Sequence, residues 1–219
     1  MKQYLSRLSG CPLFAGIAES DIAALLPCLG ARLSTHARHT FILREGDSTS
    51  AAGLLLQGEA LVIQEDFWGN RNLMTRLSPG HLFAEVFACV PGSVLNVSVQ
   101  ADTHCDVLWL DARRLIATCP TSCRHHLQLA RNLIAVLADK NLRLNARLTH
   151  MGQRTTRDKL LSYLSAESKR HGSAEFDIPF NRQELADFLS VERSAMSTAL
   201  GRLREEGFIL FEKNHFILK

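Results

Sequence analysis

The sequence lacks the features that mark membrane, secreted and catalytic proteins. No apolar run reaches the roughly 18 residues of a membrane-spanning helix. The start, MKQYLSRLSGCPLF, has neither the long apolar core nor the small-residue cleavage site of a signal peptide. P-loop, GxSxG, HExxH and paired-carboxylate motifs are also missing. We therefore expect a cytoplasmic protein that is not an enzyme, with no catalytic residues and no membrane partner.

Cysteine is present but is not arranged as a scaffold or a metal site. The sequence has no CxxC pair, and only the last two cysteines lie close together. Because disulfide frameworks and structural zinc sites need closer pairs, we expect reduced thiols and no bound metal. The six cysteines are Cys11, Cys28, Cys89, Cys105, Cys119 and Cys123.

Charge is mild in amount but uneven in position. The net charge of +3 neither requires nor excludes a nucleic-acid partner. Residues 124–157, however, hold seven arginine or lysine residues against one acidic residue, Asp139. This excess predicts a basic face in the middle of the chain.

Residues 31–111 have the composition of an all-β domain. Short β-rich runs alternate with glycine-centred turns, at the roughly 8–12-residue spacing that is typical of a sandwich or roll. Short helices are predicted before these runs, including one from Ser20 to Gly30. The predicted strands are 40–43, 53–56, 60–63, 73–77, 94–99 and 107–110.

Residues 121–149 contain no Gly or Pro and repeat apolar residues in heptads, which predicts one long helix that pairs with its copy. Asn141 at an a position would fix the register of the pair. A second stripe, Leu129, Leu133 and Val136, is expected to face the chain's own domain, and a helix packed only on that domain is the alternative. The predicted dimer interface is Leu127, Ala130, Ile134, Leu137, Asn141, Leu144 and Leu148.

The C-terminal third predicts a winged helix-turn-helix. Residues 182–189 and 191–206 form two helices joined by a tight turn, and a hairpin follows around Lys213-Asn214. Asn181 and Glu184 have the spacing of a capping box. A helix over 157–169 and a strand over 175–180 precede the motif. The residues expected to be buried are Leu185, Ala186, Leu189, Val191, Ala195, Met196, Ala199, Leu200 and Leu203.

The second helix of this motif has a polar face of short side chains, which suits the major groove of DNA. Its positive N-terminal end is expected to favour phosphate. Basic and acidic residues are nearly balanced within 182–206, so affinity for phosphate would need the wing or two copies of the motif. The predicted DNA-binding residues are Arg182, Gln183, Arg193, Ser194, Ser197, Thr198 and Arg202.

The segment RQELADFLSVERSAMSTALGRLREEGFI resembles the helix-turn-helix of the Crp/Fnr superfamily of bacterial regulators. CPLFAGI, REGD, LLLQGEALV and PGHLFAE resemble its cyclic-nucleotide-binding β-roll. The resemblance implies a homodimeric transcription regulator, activator or repressor, that binds a pseudo-palindromic operator in double-stranded DNA, contacts RNA polymerase and is controlled by an effector in the roll. The alternative is a cyclic-nucleotide or haem sensor module of a signalling complex that does not bind DNA.

The resemblance and the patterns together predict an α+β chain. Residues 1–120 form a double-stranded β-roll (jelly-roll) sensor domain, residues 121–150 a dimerisation helix, and residues 151–219 a winged helix-turn-helix domain. Gly152 is the expected hinge between the last two.

The resemblance also indicates which side chains would read bases. In the cyclic-AMP receptor protein the reading positions hold Arg, Glu and a later Arg, and these positions are Arg193, Ser194 and Thr198 here. In the oxygen-sensing branch they hold Glu and a later Ser-Arg pair, which fall on Ser194, Ser197 and Thr198. Only Arg193 matches the first pattern and only Ser197 the second, so the resemblance does not identify the operator. Base contacts are expected from Arg193, Ser194, Ser197 and Thr198.

The resemblance places an effector pocket in the roll, and the residues there disfavour cyclic AMP. The family's pocket uses a Gly-Glu pair and an Arg-Ser pair ten residues on; this chain keeps Glu85 but has Leu95 and Asn96 at the second pair. No basic residue lies between 82 and 100, and a buried cyclic phosphate needs donors. The predicted pocket residues are Phe83, Glu85, Leu95, Asn96, Lys140 and Asn141.

The resemblance to the family also indicates which other cofactors this sequence could bind. An iron–sulfur cluster is disfavoured because only Cys11 and Cys28 lie near the N-terminus, and four thiolates are normally needed. The ligand positions of the family's carbon-monoxide sensors hold Ala84 and Val86 here, and we interpret Cys11 as a packing residue. Haem through His81, His104 or Cys105 stays open, as does thiol redox sensing through Cys89, Cys105 or the Cys119/Cys123 pair.

Overall fold

The computed structural model describes residues 2–69, 71–116 and 124–219, and it divides into two compact units, Met1–Leu137 and Ala138–Lys219. The division falls inside the long helix Arg124–Met151. The three-part division at 120 and 150 stays a prediction. Within the described ranges, no helix has both the length and the apolar character needed to cross a membrane.

The first unit is a β-roll flanked by helices. Its strands form two four-stranded antiparallel sheets, with the strand orders β1-β8-β3-β6 and β2-β7-β4-β5. This architecture confirms the predicted fold class for the N-terminal part. The elements are α1 (Leu5–Ser9), α2 (Glu19–Cys28), β1 (Arg32–His36), β2 (Phe41–Leu43), β3 (Ala51–Gln57), β4 (Ala60–Glu65), β5 (Arg71–Leu77), β6 (Leu82–Phe83), α3 (Glu85–Cys89), β7 (Ser98–Ala101), β8 (Cys105–Asp111), α4 (Ala112–Ile116) and the first half of α5 (Arg124–Met151).

Strand β3 lies at the centre of this unit because both of its faces are buried. Leu54 and Leu56 pack with the N-terminal helices and α5, whereas Leu55 packs between the two sheets. A strand that is covered on both sides needs apolar residues at every position, which explains the uninterrupted run Leu54-Leu55-Leu56. Gly53 on the same strand is required, since a Cβ there would lie 2.3 Å from the ring of Phe83.

Two predicted features of the roll differ in the structure. The strand predicted over 94–99 begins only at Ser98, since Leu95 makes an isolated pair of backbone hydrogen bonds with the loop at Gly46 and Asp47. Strands β1 and β6 were not predicted from the sequence. Strand β6 has only two residues, which is too short for an alternating pattern.

The long helix buries one stripe on the first unit. Leu129 and Leu133 are buried in the core that also holds the N-terminal helices, and Val136 packs against it. This confirms the expected second stripe. Leu137, which was predicted to face a partner chain, also packs against this core.

The second unit is a winged helix-turn-helix, as predicted. Its three strands form one antiparallel sheet in the order β10-β11-β9. The elements that follow α5 are α6 (Thr156–His171), β9 (Glu175–Asp177), α7 (Arg182–Leu189), α8 (Arg193–Glu205), β10 (Ile209–Glu212) and β11 (His215–Leu218).

Helix α7 begins at a complete capping box. The Asn181 side chain accepts a hydrogen bond from the backbone N–H of Glu184, and the Glu184 carboxylate accepts one from the backbone N–H of Asn181. Two backbone N–H groups that would otherwise lack partners at this helix end are thus satisfied. Ser190 ends the helix with a positive φ of 50°, which turns the chain into α8 within three residues. The turn sets the angle between the two helices of the motif.

Ala84 adopts a left-handed backbone conformation, with φ 59°, between β6 and α3. That conformation costs a residue with a Cβ about 1–2 kcal/mol, and glycine avoids this cost but loses about 0.5–1 kcal/mol through its more flexible unfolded state. We expect Ala84→Gly to raise the free energy of unfolding by about 0.5–1 kcal/mol, measured by urea unfolding of the full chain. Ala88→Gly, in the regular part of the same helix, should lower it by a similar amount. Equal losses in both variants would contradict the strain at Ala84.

The capping box predicts a second stability effect. Asn181→Ala removes the side-chain acceptor and should lower the stability of α7 by about 1 kcal/mol, seen as faster amide hydrogen exchange in its first turn. Gln183→Ala removes only an exposed i,i+4 side-chain hydrogen bond and should cost under about 0.5 kcal/mol. Equal exchange in the two variants would show that the box does not stabilise the helix.

Candidate nucleic-acid interface

Helix α8 is held by one buried side. Met196, Leu200 and Leu203 are at most 1% exposed. They share a core with Leu160 of α6 and Leu185 of α7. Burial at positions spaced by four and then three residues fixes the rotation of the helix about its axis. The opposite side of α8 is therefore presented outward.

The outward side carries the side chains predicted to read bases. The exposed predicted residues on α8 are Arg193, Ser194, Ser197, Thr198 and Arg202. Ala195 was predicted to be buried and this is wrong, since it is exposed in the first turn. It lies about 100° around the helix from Met196, outside the arc that α6 and α7 cover.

Each hydroxyl on this side donates a hydrogen bond to an oxygen of a residue two or four positions earlier in the chain. The Ser197 hydroxyl donates to the carbonyl oxygen of Arg193 at 3.0 Å. The Thr198 hydroxyl donates to the carbonyl oxygen of Ser194, also at 3.0 Å. The Ser194 hydroxyl donates to the carboxylate of Glu192.

Glu192 is a site residue that sequence reasoning missed. It is the N-cap of α8, and its carboxylate accepts hydrogen bonds from the backbone N–H groups of Ser194 at 2.9 Å and Ala195 at 2.8 Å. The hydrogen bonds from Ser194 have the largest effect on the pKa of Glu192, and the one from Ala195 adds to it. Together they hold this pKa below its usual range. The expected phosphate site at this helix end is therefore already filled by a carboxylate. Preferred N-cap residues are Ser, Thr, Asp and Asn, so a capping rule does not pick out a Glu.

Arg182 and Gln183 lie at the start of α7, where both make contacts within the unit. The Arg182 guanidinium lies over the rings of Phe211 at 4.8 Å and Phe216 at 5.3 Å, and burial lowers its pKa. It therefore holds the terminal hairpin against α7. The exposed Gln183 amide donates a hydrogen bond to the Asp187 carboxylate at 2.9 Å.

Two cations from neighbouring helices fasten the C-terminal end of α7. Arg147 of α5 donates hydrogen bonds to the carbonyl oxygens of Phe188 at 3.0 Å and Asp187 at 3.3 Å. Lys159 of α6 donates to those of Leu189 at 3.2 Å and Ser190 at 3.3 Å. Cations at a helix C-terminus satisfy orphan carbonyls and complement the helix dipole. The end of α5 is thereby tied to the helix-turn-helix.

The heptad stripe on α5 is largely exposed in the single chain. Leu127, Ile134, Leu144 and Leu148 are each 55% exposed or more. Asn141 is also exposed and accepts a hydrogen bond from the Asn145 amide at 2.8 Å, whereas Ala130 is half-buried. An exposed row of leucine and isoleucine at heptad spacing is typical of a helix that pairs with a copy of itself.

The predicted effector residues fall into a buried and an exposed group. Phe83, Glu85 and Leu95 are buried in the roll. The Phe83 ring meets Trp109 edge to face at 5.7 Å between centroids, and so it fills space between the sheets. The exposed group is Asn96, Lys140 and Asn141, of which the last two belong to the second unit.

Three thiols and one histidine of the roll that were considered as sensors lie in surroundings that the structure describes. Burial raises the pKa of Cys11, Cys89 and Cys105, which disfavours their reactive thiolate forms. Cys105 also donates to the carbonyl oxygen of Glu59, and His81 Nδ1 accepts the backbone N–H of Ser78. Cys119 and Cys123 lie outside the described residues.

Two family models match the chain, one within each unit. The model described as a Crp-like helix-turn-helix domain matches residues 158–219. The model described as a cyclic nucleotide-binding domain matches residues 34–122. The chain is also 31% identical to the transcriptional activator protein FnrL of Cereibacter sphaeroides, over 31% of this chain and 32% of that protein. A probable transcriptional activator of Rhizobium leguminosarum is 36% identical, over 31% of this chain and 30% of that protein. The matched stretch thus spans about a third of each curated relative.

Solved structures share the fold at low sequence identity. CprK in complex with OCPA has a TM-score of 0.63 and 14% identity, covering 89% of this chain and 90% of that chain. FixK2 from Bradyrhizobium japonicum has a TM-score of 0.52 and 18% identity, covering 86% of this chain and 92% of that chain. The two family models together match more than half of the chain, and on that ground the protein belongs to the Crp/Fnr superfamily.

Proposed function

We propose that the protein is a sequence-specific DNA-binding transcription regulator of the Crp/Fnr type, acting in the cytoplasm by binding rather than by catalysis. The observation that carries this proposal is α8, a helix with a buried apolar side and an exposed side of short polar groups beside Arg193. A helix of this kind fits the major groove, where side chains can reach base edges. RNA polymerase is the proposed protein partner, as for the family's regulators.

The proposed active form is a homodimer paired through α5. The exposed heptad residues Leu127, Ile134, Leu144 and Leu148 would be buried by the same residues of a second copy, with Asn141 meeting its twin. Leu137 contributes less than the sequence indicated, since it already packs on its own unit. Two copies of α8 would read two half-sites of a pseudo-palindromic operator, separated by about 34 Å.

The proposed effector binds in the roll near Phe83, Glu85, Leu95 and Asn96, where the residues disfavour cyclic AMP. The ring of Phe83 covers the backbone of Gly53, and no Lys or Arg lies between 82 and 100 to receive a cyclic phosphate. An effector that binds one state of the dimer better than another would shift the population toward the spacing of α8 copies that fits the operator.

The dimer is tested on the heptad stripe. Ile134→Asp places two charges in the proposed apolar seam, and we expect dimerisation to weaken by at least about 2 kcal/mol, roughly thirtyfold in the dissociation constant. Ala135→Asp adds the same charge one residue away, at an exposed position outside the seam, and should leave the dimer intact. Analytical ultracentrifugation measures both. An unchanged dimer in Ile134→Asp would exclude this interface.

DNA binding is tested on Arg193 with an operator selected in vitro from random DNA. We expect Arg193→Ala to lose about 1–3 kcal/mol of affinity for that operator, in gel shifts at fixed salt. Lys169→Ala removes an exposed positive charge at the end of α6 and serves as the control. Undiminished binding by Arg193→Ala would remove it from the interface. Failure of the wild-type protein to retain any DNA at low salt would favour the sensor module without DNA binding.

A further inference from the structure

We infer that the hydroxyl and carboxylate groups on the base-reading side of α8 accept hydrogen bonds from base edges rather than donating them, and that Glu192 is a specificity-determining residue of that side. The inference rests on the proposed function and deepens it, since it names the chemistry of the base edges that the protein selects. It is carried by the side-chain oxygens of four residues, Glu192, Ser194, Ser197 and Thr198.

The hydroxyl protons on this side are already used within the protein. Those of Ser197 and Thr198 point to carbonyl oxygens one turn back in α8. A hydroxyl has one proton and two lone pairs, so a hydroxyl that donates inward offers only acceptor capacity outward. Both side chains are exposed and lie on the face that Met196 and Leu200 leave free.

Glu192 gives the same character to the first turn. Its carboxylate takes the hydroxyl proton of Ser194 and the N–H groups of Ser194 and Ala195, so these donors are withdrawn from DNA. A carboxylate has about four lone-pair sites, and three donors leave it able to accept one more. Glu192 is fully exposed at the end of the helix and carries its charge at neutral pH, since its pKa is lowered.

An accepting face discriminates among base pairs in the major groove. Adenine N6 and cytosine N4 carry the only amino donors there, whereas guanine O6, guanine N7, adenine N7 and thymine O4 are acceptors. The oxygens of Ser194, Ser197 and Thr198 therefore favour adenine or cytosine and are repelled by guanine. Arg193 is the donor beside them and suits guanine. The carboxylate of Glu192 accepts from cytosine N4, and it also repels phosphate from this end of α8.

The test removes single amino groups from the DNA. After the wild-type operator has been selected, each adenine or cytosine in the half-site is replaced in turn by purine or by 2-pyrimidinone, which lack the N6 or N4 amino group. We expect a loss of affinity of roughly fivefold to a hundredfold at two or more positions. Guanine→hypoxanthine, which removes only the minor-groove amino group, should change affinity by less than about twofold. Losses below twofold at every adenine and cytosine would overturn the inference.

The role of Glu192 is tested by its own variant. Glu192→Ser keeps an N-cap acceptor, so α8 should remain folded, but it removes the carboxylate from the base-reading side. We expect the preference for the cytosine or adenine nearest the helix end to relax by about tenfold. Glu205→Ser removes an equal charge from the other end of α8 and should leave every base preference unchanged.

Outcomes that contradict the inference differ from those that contradict the proposed function. If Glu192→Ser keeps all base preferences and only its thermal midpoint moves, Glu192 is a helix cap and nothing more. If the wild-type protein selects no sequence at all, the DNA-binding function itself fails, before any amino group is tested.

Discussion

The structure of the second unit depends on the burial of Met196, Leu200 and Leu203. These three side chains fix the rotation of α8 against α6 and α7, and so they decide which residues of the helix face outward. Loss of any one would leave a cavity in a small core, at a cost of roughly 2–5 kcal/mol. The polar side of α8 faces outward, where it can contact DNA, because the apolar side is buried in this core.

The contacts around that core explain how the two short helices of the helix-turn-helix are held in a fixed arrangement. Arg147 and Lys159 donate hydrogen bonds to the C-terminal carbonyl oxygens of α7, and the capping box at Asn181 satisfies N–H groups at its start. Glu192 does the same for α8. With both ends of the motif satisfied, few alternatives are left to the backbone, and the side chains that approach bases are held in place before DNA arrives.

Sequence patterns predicted most of this architecture because they report burial. The apolar run in β3, the glycine turns of the roll and the amphipathic helices are each dictated by which faces are covered. Features that depend on a single contact were not predictable. Glu192 caps α8 although Glu is not a favoured cap, and Leu137 packs against the core of its own unit although it continues the heptad pattern. The sequence predicted the base-reading candidates because they lie opposite the buried stripe; they are Arg193, Ser194, Ser197 and Thr198. It could not predict in which direction the hydroxyl groups among them donate hydrogen bonds, which only the structure shows.

The central claim is that the outward side of α8 lies against base pairs. A crystal structure of the full chain with its selected operator tests this most directly. The account requires the first two turns of α8 in the major groove, with the Ser194, Ser197 and Thr198 oxygens within about 3.2 Å of base amino groups. A complex in which this side faces solvent or protein, while DNA contacts another surface, would contradict it.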